Sequence, residues 1–132
     1  GLFLSGGVMS AAEFPALPRL AVPLFGSADI CFCFTRNEWE QAHISLGNTG
    51  TCLDRRGAAN TFRSLTGQRD IHLVGVFDGC RATLAHECAH IVFDICEYAG
   101  VRVVPGEANE TFCHLLDALF EFGERHMKTG TI

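Results

Sequence analysis

No apolar run in this chain of 132 residues reaches the length of a membrane span, and no membrane partner is expected. Positive charge is scarce: Lys and Arg total 10 against 15 Asp and Glu, a net charge of −5. That balance speaks against nucleic acid as a partner, because phosphate binding wants a basic face. The apolar patch within the opening GLFLSGGVMSAAEF has no basic residue before it, unlike a secretory signal. The seven cysteines include no C-x2-C pair, and an odd number without a signal fits reduced thiols in the cytoplasm. Most of them read as small buried hydrophobes. Internal repeats and low-complexity segments are absent, so 48% apolar and 19% charged residues describe one ordinary globular domain with a modest core.

Residues 1–27 read as an irregular lead-in that contains three of the four prolines, Pro15, Pro18 and Pro23. Within it, residues 1–8 precede Met9 and are read as an upstream extension or tag remnant, outside the fold proper. A single domain is expected over 28–132. ADICFCFT, 28–35, alternates as a strand with Ile30, Phe32 and Phe34 on one face and Cys31 and Cys33 on the other. Thr35 and Glu38 have capping-box spacing, so a helix is predicted from near Arg36 to Gly47.

Residues 47–60 read as a loop. NTFRSL and IHLVGVF then read as strands joined by a hairpin at TGQRD. A helix is predicted over about 80–99, capped by Asp78 or Gly79 and stopped by Gly100, with Leu84, Cys88, Ile91, Val92, Ile95 and Ala99 as its apolar stripe. A last helix over about 107–122 carries Ala108, Phe112, Leu115, Leu116 and Leu119 on one side. The expected class is α+β: a short antiparallel sheet followed by two C-terminal helices.

The chemistry concentrates in TLAHECAHIVF, residues 83–93. On a helix, His86 and His90 lie on one face one turn apart and can aim two imidazole nitrogens at one ion. Glu87 is rotated from His86 by about 100°, outside the ligand set but near a water on the metal. That is the physical content of H-E-x-x-H: two ligands and a neighbouring base. A catalytic zinc needs a third protein ligand and an open fourth position. Cys96, six residues past His90, would need the chain to turn at position 93, which is Phe on a continuing helix. Asp94 lies on the same straight helix as both histidines, and three turns of one helix cannot surround an ion. Glu110, in GEANETFCHLLD twenty residues after His90, lies on the next helix.

HECAH paired with NETF resembles the gluzincin branch of zinc metallopeptidases, over residues 86 to about 117. The resemblance implies a small zincin-like domain with an active-site helix and a C-terminal ligand helix. It also implies Zn2+ held by His86, His90 and Glu110, with Glu87 as general base. The family often carries an aspartate four residues after the ligand glutamate. Here that position is His114, and Asp117 follows a turn later. The short chain looks more like the small single-domain H-E-x-x-H proteins of bacteria and prophages.

Glu110, His114 and Asp117 share one helix face, read here as facing inward. Asp117 is a candidate to hold the tautomer of a ligand histidine, and His114 to serve as outer support, transition-state donor or alternative ligand. Asn109 belongs to the NETF motif, and Tyr98, the sole tyrosine, is a candidate oxyanion donor. His43 and His126 read as surface residues, and His72 as structural or cleft-facing. The expected activity is zinc-dependent peptide hydrolysis, with an extended peptide pairing along residues 71–77. The alternative is a non-catalytic module in which zinc only staples the two helices.

Overall fold

The computed structural model describes residues 2–3, 13–26, 28–49 and 54–130. Met9, Cys52 and most of the 1–8 extension lie outside them. The elements in chain order are β1 (Leu2–Phe3), β2 (Arg19–Ala21), β3 (Ala28–Cys33), α1 (Arg36–Ser45), β4 (Gly57–Arg63), β5 (Asp70–Val76), α2 (Arg81–Ala99) and α3 (Glu110–Gly130). The protein is an α+β domain, and its sheet is mixed rather than antiparallel, in the order β1-β4-β5-β3-β2. β4 and β5 form the expected antiparallel pair, while β3 runs parallel to β5 and β1 parallel to β4. The lead-in is therefore not wholly irregular, since β1 and β2 extend the sheet at its two sides.

The sheet is covered on both faces because its middle strands are apolar on both faces. In β3, Ile30 and Phe32 point into one cluster and Cys31 and Cys33 into another. The first cluster joins Ile30, Phe32, Val74 and Val76 to Leu84, Cys88, Ile91, Val92 and Ile95 of α2 and to Leu115 and Leu119 of α3. The second joins Cys31, Cys33, Phe62 and Leu73 to Trp39 and Ala42 of α1. A strand with apolar residues on both of its faces belongs in the middle of a sheet between two helical layers.

Burial also sets the thiols. Removing water from their charged form pushes Cys31 up to about 11 and Cys88 to about 12. Cys31, Cys33, Cys88 and Cys96 are buried, while Cys80 and Cys113 are exposed.

Local signals explain the helix ends. The Thr35 hydroxyl accepts from Glu38 N–H at 3.1 Å and the Glu38 carboxylate accepts from Thr35 N–H at 3.1 Å, the reciprocal capping box that starts α1. α2 begins after Cys80, which offers no side-chain cap. Asp78 acts instead from two residues upstream, accepting from Cys80 N–H at 3.0 Å and from the Thr83 hydroxyl at 2.7 Å. Gly100, in the left-handed region at φ 77°, ends α2 as expected. α3 starts three residues later than the sequence indicates. Asn109 sits at φ 53°, accepts from Val104 N–H at 2.9 Å and donates to the carbonyls of Val104 and Glu107, so the chain before Glu110 is a closed turn. Asn tolerates this backbone better than most residues.

Two histidines read differently in three dimensions. His43, expected at the surface, is 1% exposed. Its Nδ1–H donates to the Trp39 carbonyl one turn back in α1 at 2.8 Å, and its Nε2 accepts from Asn60 Nδ2 at 2.9 Å, a bond from helix to strand. His72 is 2% exposed and bonds the Thr61 hydroxyl through Nδ1 at 2.8 Å. Burial holds His72 down at about 4, against the pull of Asp94. Because its folded pKa lies below the unfolded value of 6.5, the unfolded chain binds the extra proton. Stability is then complete above pH 6.5 and is lost as pH falls towards 4, by at most about 3 kcal/mol at His72. His43, also lowered by burial, acts with the same sign. Urea melts between pH 4 and 7 should show this slope, and His72→Asn, which still accepts from Thr61, should flatten it. An unchanged slope in that variant would place the effect elsewhere.

Candidate metal centre

α2 lies across β4 and β5, and its faces divide its residues by helical rotation. Leu84, Cys88, Ile91 and Ile95 point to the sheet. His86 and His90, on the opposite side, are exposed. Glu87, rotated from His86 towards β4, is only 8% exposed. The two imidazoles meet edge to face, with centroids 4.8 Å apart and an interplanar angle of 76°. Their Nε2 atoms are 3.2 Å apart. Two nitrogens on one tetrahedral zinc, at bond lengths of about 2.0–2.1 Å, stand roughly 3.3 Å apart. Ligand atoms of His86, Glu87 and His90 all lie within 4.8 Å of one another, so this group can hold a metal ion.

Glu87 occupies the wall between helix and sheet. With Arg55, Arg56, Gly57, Ala82, Thr83 and His86 it lines an open cleft of about 520 Å³. Burial pushes the Glu87 carboxyl above its ordinary value, opposed by the positive fields of His86, His90 and Arg55. A second hollow lies further along β4, lined by Ala59, Asn60, Thr61, His90, Ile91 and Asp94. Both hollows are lined by residues of β4 and α2.

Gly57 makes this closeness possible. A Cβ there would meet the Gly75 carbonyl oxygen at 2.6 Å, Thr83 Cγ2 at 2.6 Å and Glu87 Cγ at 3.0 Å. Gly57→Ala should push the first turns of α2 off the strand and cost about 1–3 kcal/mol. A chemical denaturation curve tests this, and an unchanged midpoint would contradict the packing argument.

The other candidate residues do not join the group. Glu110 and His114 stand on the solvent side of α3, their side chains 74% and 73% exposed and 3.8 Å apart. Asp117 is exposed as well. The row expected to face inward faces water, because Leu115 and Leu119 occupy the side of α3 that enters the core. Even so, the first turn of α3 packs beside the turn of α2 that follows His90, through Phe93 and Phe112 at 4.6 Å between ring centroids. Asn109 shapes the turn before Glu110, as described above. Tyr98 is 65% exposed, lies about 12 Å along the helix from His90, and stacks under the Arg63 guanidinium at 4.1 Å.

The strand expected to pair with a peptide, along residues 71–77, is not at an edge. β5, residues 70–76, is bonded to β3 on one side and β4 on the other, so residues 71–77 offer no edge to an added strand. β4 does offer one: among the described residues its outer side is paired only at Phe62 and Arg63, by β1. Among the described residues no strand pairs the outer side of Gly57–Thr61, the stretch that lines hollows with His86, Glu87 and His90. The sequence reading missed this strand segment because Gly-Ala-Ala resembles a loop. The sharpest signal available was its position just before the NTFR run.

Comparison of the chain with protein-family models, with curated proteins and with solved structures finds no match.

Proposed function

We propose that this protein is a zinc-dependent hydrolase, most specifically a metallopeptidase. The observation that carries the reading is the 3.2 Å separation of the His86 and His90 Nε2 atoms, with the Glu87 carboxylate in the same group. His86 and His90 would hold the ion, with Glu110 as the proposed third ligand. Its support is the Phe93–Phe112 contact, which brings the start of α3 next to the turn after His90, together with an exposed side chain free to change rotamer. Zinc, when bound, supplies an acidified water and polarises the scissile carbonyl. Glu87 accepts the proton of the attacking water and delivers it to the leaving amine nitrogen. The open edge of β4 aligns an extended peptide by main-chain hydrogen bonds.

The test is zinc content and zinc titration, followed by hydrolysis of a peptide library. About one zinc per chain with cleavage supports the proposal, and a chain that takes up no zinc refutes it. Glu110→Ala separates the gluzincin arrangement from a site on α2 alone. With Glu110 as a ligand, zinc cross-links α2 and α3. A thousandfold excess over Kd then stabilises the fold by ~4 kcal/mol, on the order of 10–20 °C in Tm. The variant should lose most of that shift, read as melts with and without EDTA. A wild-type response to EDTA in Glu110→Ala would remove the glutamate from the ligand set.

A further inference from the structure

The cleft beside Glu87 carries charge that the hydrolytic chemistry does not use. Arg55 and Arg56 are exposed and line the same cleft as His86 and Glu87. In a chain of net charge −5 they are a local exception. Among the described residues neither makes an ion pair. Their backbone is anchored: Arg36 Nη2 donates to the Arg55 carbonyl at 2.8 Å, and Phe77 N–H donates to the Arg56 carbonyl at 2.8 Å. Arg56 is felt electrostatically by Asp78, but that carboxylate is already occupied by Cys80 N–H and the Thr83 hydroxyl. Two guanidinium groups on a fixed backbone therefore line the cleft, neither ion-paired among the described residues, with Arg55 acting on Glu87 only through its field.

Strand polarity says which part of a peptide they would meet. β4 starts at Gly57, directly after the arginines, and among the described residues its outer edge is unpaired from Gly57 to Thr61. A peptide added antiparallel to that edge has its C-terminal end beside Gly57 and the arginines. A peptide added parallel would bring its N-terminal end there, and a terminal ammonium would be repelled. Charge thus selects the antiparallel direction.

We infer that the cleft selects peptides with a carboxylate on the C-terminal side of the scissile bond, bound by Arg55 and Arg56. The carboxylate is that of the chain terminus or of an Asp or Glu side chain. The inference rests on the peptidase reading for the scissile bond, but anion binding itself needs no metal.

The experiment is a 15N NMR titration of the zinc-loaded and zinc-free protein with three acetylated tetrapeptides: tetraalanine with a free C-terminus, its amide, and an amidated peptide with Asp at the third position. The free-terminus peptide, the Asp peptide or both should bind roughly five- to tenfold tighter than the neutral amide, moving the Gly57 and Thr83 resonances. Which anionic peptide gains identifies the source of the carboxylate. The preference should fade with added salt and vanish in Arg55→Gln/Arg56→Gln, which should still take up zinc like the wild type. Equal binding of all three peptides, or a preference that survives in the double variant, overturns the inference. A preference that persists in a chain shown to take up no zinc supports the anion site while removing the hydrolase reading.

Discussion

His86→Ala and His90→Ala are each expected to lower zinc affinity by more than about a hundredfold, beyond the loss typical of outer-shell partners. Both rings are exposed and contribute nothing to the apolar core. The metal-free variants should therefore melt like the metal-free wild type, and the whole effect should lie in the zinc-dependent part of the stability. That separation distinguishes ligands from structural residues. Calorimetric zinc titration beside paired melts checks it. Tight zinc binding by either variant would sink the proposed centre, since the remaining members of the group are one histidine and one buried carboxylate.

Glu87→Gln is expected to abolish hydrolysis, by roughly 10²–10⁴-fold in kcat, while leaving zinc content and fold intact. The amide fills the same space against Gly57 and Thr83, where Glu87 is 8% exposed, so the packing that positions α2 is preserved. What is lost is the ability to accept a proton. Stopped assays on zinc-loaded protein would decide it: a variant that cleaves at the wild-type rate excludes Glu87 as the base. A variant that loses zinc as well would make the carboxylate a ligand, as its place within the 4.8 Å group permits.

The helical frame of the site was legible in the chain because the signals are local. H-E-x-x-H places its residues by the geometry of one helix, and the Leu84–Ile95 stripe says which side of that helix enters the core. The capping box at Thr35 and the stop at Gly100 depend on side chains and φ angles within a few residues. The alternation of β3 likewise separated Ile30 and Phe32 from Cys31 and Cys33, which enter different clusters.

Tertiary structure decided what depends on distant partners. β5 looks like a substrate-binding edge only until β3, 42 residues upstream, is seen to occupy its other side in parallel. β4 begins in a glycine-alanine stretch of weak strand propensity, and it is a strand because β5 and α2 supply the pairing and the close contact at Gly57. His43 is buried because Asn60, on a strand seventeen residues away, satisfies its second nitrogen. The spacing of Glu110, His114 and Asp117 showed that they share a face but not which way it points. That depended on Leu115 and Leu119 claiming the core side of α3, so the polar row was left to solvent. Periodicity along a chain determines which residues go together; the packing of other segments against them determines whether that face meets the core, the cleft or water.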